Sequence, residues 1–312
     1  MTDNYTSQNA FHDWDKTASV RCRPKRILLS EHIEDKYFFP PEFAPFIEHD
    51  LLSNIGDDKK RIILIHQLYS YLNFTQYLEH EAICVVAYNV SMKKYDFKIP
   101  NILCVNARKI YVDEVYHWMF SIDFAEEIEA LTGVKNLSES EPRFLRTLRE
   151  LMKKLNDGQK KLALLFFTTI AETLITPTMG KFPKDERLVL PVRELINDHS
   201  IDELRHLRYF VELFHFIWEQ IDFDDRHILC LLLPRMLYSY FEPDFDRIIQ
   251  LLKLLGFSDE EIKRVLSDTY PKDRIVENVM ASSTATIKLF KDVGMFDDYK
   301  IKSAFHEEGF LV

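Results

Sequence analysis

Residues 162–180, LALLFFTTIAETLITPTMG, carry a single charge, Glu172, along a length that fits a helix. A helix that is apolar on every face is either buried inside a protein or spans a membrane. Five threonines, Pro177 and a mid-segment carboxylate oppose the membrane span. The chain is therefore expected to wrap other helices around this segment and to have no membrane as a partner. Burial makes Glu172 costly, because an isolated carboxylate in an apolar interior must be neutralised, paired or bound to metal. No Lys or Arg lies within two helical turns of it in the sequence, so its partners must come from elsewhere in the fold.

The rest of the chain reads the same way. Apolar residues recur at helical spacing over about 59–90, 103–131, 141–156, 159–176, 191–221, 223–239, 242–256, 258–268 and 271–293. Pro177 and Gly180 should end the fourth of these, and Gly256 followed by Ser258-Asp259-Glu260-Glu261 marks a stop and a capped restart. Tyr37-Phe38-Phe39-Pro40-Pro41-Glu42-Phe43 leads into a further helix with proline at its start. Only 7 Gly occur in 312 residues, none in a dinucleotide or phosphate-loop pattern, and period-2 alternation is scarce. The expected fold is all-α, a helical bundle with additional helices after about residue 222.

Residues 1–34 read as an N-terminal arm, polar and mobile over its first part, and residues 35–312 as a single domain. The basic run Arg21, Arg23, Lys25 and Arg26 reads as solvated surface. A formal charge of −10 argues against nucleic acid as a partner. Cys22, Cys84, Cys104 and Cys230 are widely spaced, with no C-x-x-C pair and no apolar N-terminal signal. A reduced, cytoplasmic protein without a cysteine zinc site is expected.

The chemistry lies in Glu-x-x-His, which on a helix projects both side chains from one face and can grip one metal ion. Three copies occur, at Glu114/His117, Glu203/His206 and Glu212/His215. Two of them extend to Asp-Glu-x-x-His, with Asp113 and Asp202 in front. About 0.07 copies of that longer string are expected by chance at this composition. The aspartates have a task, since a metal-bound imidazole usually donates its other N–H to a carboxylate, here expected to be that of the opposite motif. Glu212/His215 lacks the aspartate and faces away from Glu203 and His206, so it is set aside. Two such helices call for two further carboxylates in a bundle that holds a metal pair. Glu172 is one. The other is Glu79 or Glu81, between which periodicity does not choose. His199 lies within about 60° of Glu203 and His206 around its helix. Four glutamates balance two ferrous ions, and imidazole with carboxylate suits iron or manganese better than zinc.

At these residues the chain resembles the p-aminobenzoate N-oxygenase (AurF-like) non-heme diiron oxygenases. The matching text is Leu78-Glu79, then Tyr111-Val112-Asp113-Glu114-Val115-Tyr116-His117, then Glu172, then His199-Ser200-Ile201-Asp202-Glu203-Leu204-Arg205-His206, spanning roughly residues 35–290. The resemblance implies a ferritin-like bundle with one added histidine beside four Glu and two His. It favours Glu79 over Glu81 and makes His199 a ligand. The implied metal ligands, through which the chain would be catalytic, are Glu79, Glu114, His117, Glu172, His199, Glu203 and His206, supported by Asp113 and Asp202. Two Fe ions (with Mn as the alternative), O2, an external electron donor and a homodimer are implied as well. The implied reaction oxidises a primary amine, of an arylamine or an amino acid, to a hydroxylamine, nitroso or nitro product in secondary-metabolite biosynthesis.

Two other readings use the same residues. One is a diiron or Fe/Mn oxidase that attacks C–H bonds or generates a radical. The other is a non-catalytic helical module whose acids and histidines only pair in the core. Residues 62–90 carry no Arg to hold a substrate carboxylate near Glu79, while Tyr71, Phe74 and Tyr77 could line an apolar pocket there.

Overall fold

The computed structural model describes residues 10–30, 33, 35–137, 141–179, 182–310 and 312, apart from the side chains of 175–178. In chain order the helices are α1 (Trp14–Thr17), α2 (Ser19–Cys22), α3 (Asp57–Leu78), α4 (Cys84–Ser91), α5 (Asn101–Thr132), α6 (Arg143–Met152), α7 (Asp157–Met179) and α8 (Leu190–Gln220). The later ones are α9 (Phe223–Cys230), α10 (Leu233–Phe241), α11 (Phe245–Leu254), α12 (Asp259–Thr269), α13 (Lys272–Ser282), α14 (Thr284–Asp292) and α15 (Tyr299–Glu307). No strand occurs among the described residues, and one isolated parallel bridge joins Tyr37 to Leu188. The fold is an all-α, ferritin-like bundle built from α3–α4, α5, α7 and α8. No helix among the described residues is long and apolar enough to cross a membrane.

Local chemistry sets the ends of these elements. α5 begins after Pro100 and stops at Gly133, whose φ of 70° closes the helix in the left-handed conformation. α8 carries proline in its first turn, where a missing N–H costs nothing. Ser258 and Glu261 form the capping box expected for α12. α3 passes into a π-turn over Glu79–Ile83 and then into α4 without leaving the helix axis.

Several sequence expectations need correction. α7 continues to Met179, past Pro177; a proline this near a helix end deletes only one bond of the ladder. Gly180 lies outside the described residues. The segment after Tyr37 gives only 3-10 turns, Pro41–Phe43 and Pro45–Glu48, because a second proline interrupts any longer helix. The expected helix 223–239 divides before Pro234, and 271–293 divides at Ser283. The N-terminal segment from residue 10 onward does not stand off the bundle. Phe11, Trp14, Ala18 and Ser19 are buried. The basic run agrees with the surface expectation, with Arg21, Arg23 and Lys25 exposed and Arg26 half-buried, and each also faces an acid: Arg21 faces Asp15, Arg23 and Arg26 face Asp198, and Lys25 faces Asp123.

The apolar core comes in two main blocks along the bundle. One contains Leu78, Ile110, Phe167, Ile170 and Tyr209. The other contains Leu72, Phe120, Phe124 and Ile196. Between the two blocks the inward face of α5 and α8 is polar and buried, with Asp113, Glu114 and His117 on the first and His199, Asp202, Glu203 and His206 on the second. The candidate site occupies this layer.

Candidate metal centre

Four helical segments deliver acids and imidazoles to the layer. The end of α3 brings Glu79, α5 brings Asp113, Glu114 and His117, α7 brings Glu172, and α8 brings His199, Asp202, Glu203 and His206. None of the nine is more than 2% exposed. The ligand-type atoms of Glu79, His117, His199 and Glu203 lie within 4.8 Å of one another, as do those of Glu114, Glu172, Glu203 and His206. Glu203 belongs to both groups. All seven residues singled out as ligands in the sequence are thus brought together. Glu81 is exposed beside Arg149, and Glu212 and His215 are only half-buried and outside both groups.

Glu79 and Glu81 point to opposite sides of the helix, as residues two apart do. The π-turn over Glu79–Ile83 widens the helix by one residue where Glu79 turns inward, a device often found at functional sites. Glu79 Oε1 lies 3.0 Å from His199 Nε2, and Glu203 Oε1 lies 3.2 Å from the same nitrogen. His206 Nδ1 is 2.7 Å from Glu114 Oε1 and 3.2 Å from Glu203 Oε1. His117 Nδ1 faces Glu114 and Glu203 at 3.6 Å each.

The aspartates work crosswise. His117 Nε2 meets Asp202 Oδ2 at 3.1 Å, and His206 Nε2 meets Asp113 Oδ2 at 3.2 Å. Each imidazole serves a carboxylate on the other helix, so its Nε2 carries the proton and its Nδ1 turns to the cluster. Nδ1 of His117, Nδ1 of His206, Oε2 of Glu79 and both carboxylate oxygens of Glu114 are buried without a hydrogen bond. Lone pairs of neutral imidazole and carboxylate pointing at one another repel unless a cation stands between them. The donor set thus fits a pair of divalent cations. Tyr71 Oη lies 2.8 Å from His199 Nδ1, which leaves Nε2 of that ring for the cluster.

Electrostatics agree with that picture. Burial raises the Glu79 carboxyl to about 7 despite the pull of His199. Burial, with Glu203 adding to it, pushes Glu172 well above the carboxylate range. Burial also opposes charge on Glu203, but His206 and His199 overcome it and hold Glu203 well below that range. For His117 and His206 burial opposes protonation, yet Asp202 and Glu114 around the first, and Glu114 and Glu203 around the second, raise both. Protons thus gather where a cation would otherwise sit, and cation binding would release them.

A cavity of about 310 Å³ reaches the cluster at Glu79 and His199. Tyr71, Phe74, Leu174, Phe182, Tyr240 and Phe241 form its apolar wall, and Gln67, Ser70 and Thr75 supply neutral polar groups. Of the three residues expected there from the sequence, Tyr71 and Phe74 line the cavity and Tyr77 does not; Tyr240 and Phe241, on α10, were not expected.

The largest omission of the sequence reading is the N-terminal segment. Trp14 Nε1–H donates to both oxygens of Asp113 at 2.9 and 2.8 Å, and the Ser19 N–H approaches both oxygens of Asp202 at 3.3 and 3.2 Å. Arg205 also pairs with Asp202. The available signal was Phe11, Trp14 and Ala18 recurring at helical spacing inside a polar arm.

Fold and site together define a class, the ferritin-like bundles whose interior gathers carboxylates and imidazoles into two overlapping groups. Residues 14–294 match the family described as P-aminobenzoate N-oxygenase AurF, and the chain belongs to that family. A 4-aminobenzoate N-oxygenase of Streptomyces thioluteus is 24% identical over 273 residues, which cover 83% of this chain and 77% of that protein.

Proposed function

We propose that the protein is a diiron amine N-oxygenase. Glu79, His117, His199 and Glu203 hold one iron ion, Glu114, Glu172, Glu203 and His206 hold the second, and Glu203 is shared. The observation that carries this reading is the overlap of two four-residue groups in one carboxylate at the centre of the bundle. When bound, ferrous ions supply electrons and open coordination positions for the reduction of O2 and delivery of oxygen to an amine nitrogen, with an external donor restoring the electrons. Four carboxylates and two divalent cations sum to zero charge, which a low-dielectric interior accepts. Manganese is the alternative that the same donor set admits.

The chain's own residues bind and orient. Asp113 and Asp202 hold the Nε2 protons of His206 and His117 and aim each Nδ1 inward. Tyr71 Oη holds the Nδ1 side of His199 instead and leaves its Nε2 aimed inward. The aromatic wall packs against the substrate ring and keeps water from the amine. Tyr240 and Phe241 close the cavity from the C-terminal helices.

The substrate class we favour is a small arylamine whose ring carries no charge. No Lys or Arg lines the cavity among the described residues. Leaving a substrate carboxylate buried and unpaired costs about 3–5 kcal/mol, or roughly a hundredfold or more in affinity. Purified, iron-loaded protein should contain two iron ions per chain and convert arylamines in the presence of O2 and a reductant. 4-Aminobenzamide should exceed 4-aminobenzoate in kcat/KM by about a hundredfold. A wild type that takes up no metal, or His206→Ala retaining full iron and activity, overturns the diiron reading. Equal turnover of acid and amide overturns the substrate preference alone.

A further inference from the structure

We infer that residues 11–19 are a working part of the metal centre: the indole N–H of Trp14 and the backbone N–H of Ser19 are positioning groups that fix Asp113 and Asp202, and through them the two imidazoles. The inference rests on the diiron reading. Each aspartate is fully buried and holds one histidine Nε2. A carboxylate with few restraints pivots and takes the ring with it. The N-terminal segment restrains both sides: Trp14 is the second partner of Asp113 beside His206, and Ser19 joins Arg205 and His117 around Asp202. These donors also spread the negative charge of each aspartate, so that it orients its imidazole without stripping the proton from it.

The segment is itself fastened at several points. Ser19 Oγ donates to the Asp198 carbonyl at 2.9 Å, Lys109 Nζ donates to the Phe11 carbonyl at 2.8 Å, and Arg26 meets Asp198 at 2.7 Å. Phe11 lies parallel to His206, with ring centroids 6.3 Å apart and planes 10° apart. These fastenings span 98–179 residues of sequence, so the segment acts as a strap across the finished bundle.

The test is anaerobic Fe(II) titration of the chelator-stripped, full-length protein, with the absorption spectrum of the Co(II)-loaded form as a second readout. Trp14→Phe keeps the aromatic ring and deletes the N–H. Ser19→Pro deletes the backbone N–H at the first residue of α2, a position that suits proline because Ala18 before it is already extended (φ −64°, ψ 137°). Ser19→Ala removes only the hydroxyl and serves as the reference for Ser19→Pro. Trp14→Phe should bind Fe(II) about tenfold more weakly than wild type, Ser19→Pro about tenfold more weakly than Ser19→Ala, and both should shift the Co(II) bands. A strap that only stabilises the fold would lower the unfolding temperature of the metal-free protein and leave affinity and spectrum unchanged; that result overturns the inference. Should Trp14→Phe not fold, the Ser19 pair decides. Failure of the wild type to take up metal would instead defeat the diiron reading.

Discussion

Glu79 and Glu81 stand two residues apart and meet opposite environments. The first is 2% exposed and faces His199; the second lies in solvent beside Arg149. Glu79→Gln keeps the volume and removes the charge, and it should lose most of the bound iron, measured as iron per chain. Glu81→Gln should retain it. The seven inward-facing residues were largely readable from the chain because i, i+3 and i+4 spacing is local geometry. The choice between Glu79 and Glu81 was not readable by periodicity, since both have apolar neighbours at helical spacing, Leu72, Ala82 and Val86 for the first and Phe74, Leu78 and Val85 for the second. His66 supplies a pH effect away from the cluster. It is 4% exposed, and burial lowers its pKa from 6.5 to about 4. Between those values the unfolded chain binds the proton and the native protein does not, so stability falls as pH drops from about 6.5 toward 4. The stability advantage of wild type over His66→Gln, read from urea midpoints, should shrink by about 2 kcal/mol between pH 7 and pH 5.

At the level of elements, the π-turn takes up one extra residue while the helices on either side keep their faces. Deleting His80, an exposed residue within that turn, should restore an ordinary α-helix that leaves α3 and α4 in register and removes the wide turn on which Glu79 sits. Helical content by circular dichroism should stay near that of wild type while iron uptake is lost. Unchanged iron uptake in this deletion would mean that the bulge has no part in presenting Glu79. Helix existence followed from periodicity because burial on one face repeats every 3.6 residues. Helix ends followed less well: Pro177 sits within α7, and Pro234 starts α10 within what reads as one continuous helix. The N-terminal strap was illegible for a different reason. Its anchors, such as Trp14 to Asp113, join residues 99 positions apart, and no local pattern encodes a contact of that range.

Across the whole molecule, the C-terminal helices do more than extend the bundle. Tyr240 Oη donates to the Phe167 carbonyl at 3.0 Å, and the Thr173 and Thr286 hydroxyls are 2.7 Å apart. These contacts tie α10 and α14 to the helix that carries Glu172. Tyr240→Ala should enlarge the cavity and shift preference toward bulkier arylamines, measured as a ratio of kcat/KM values. Metal held as proposed should also act on the global fold, because its ligands converge in the native state alone. At a free concentration a hundred times its Kd, one bound ion adds about 2.7 kcal/mol, and for a chain of this length that raises Tm by about 4 °C. Chelation should therefore lower Tm by at least that amount in a scanning calorimeter; an unchanged Tm would favour acids and histidines that merely pair in the core.

The crossed aspartates have one more consequence. Asp202 serves His117 of the group containing Glu79, and Asp113 serves His206 of the group containing Glu172. With the two cations proposed above, weakening either aspartate should handicap one seat more than its neighbour, so Asp202→Asn offers a route to a protein loaded with two different elements in a known order.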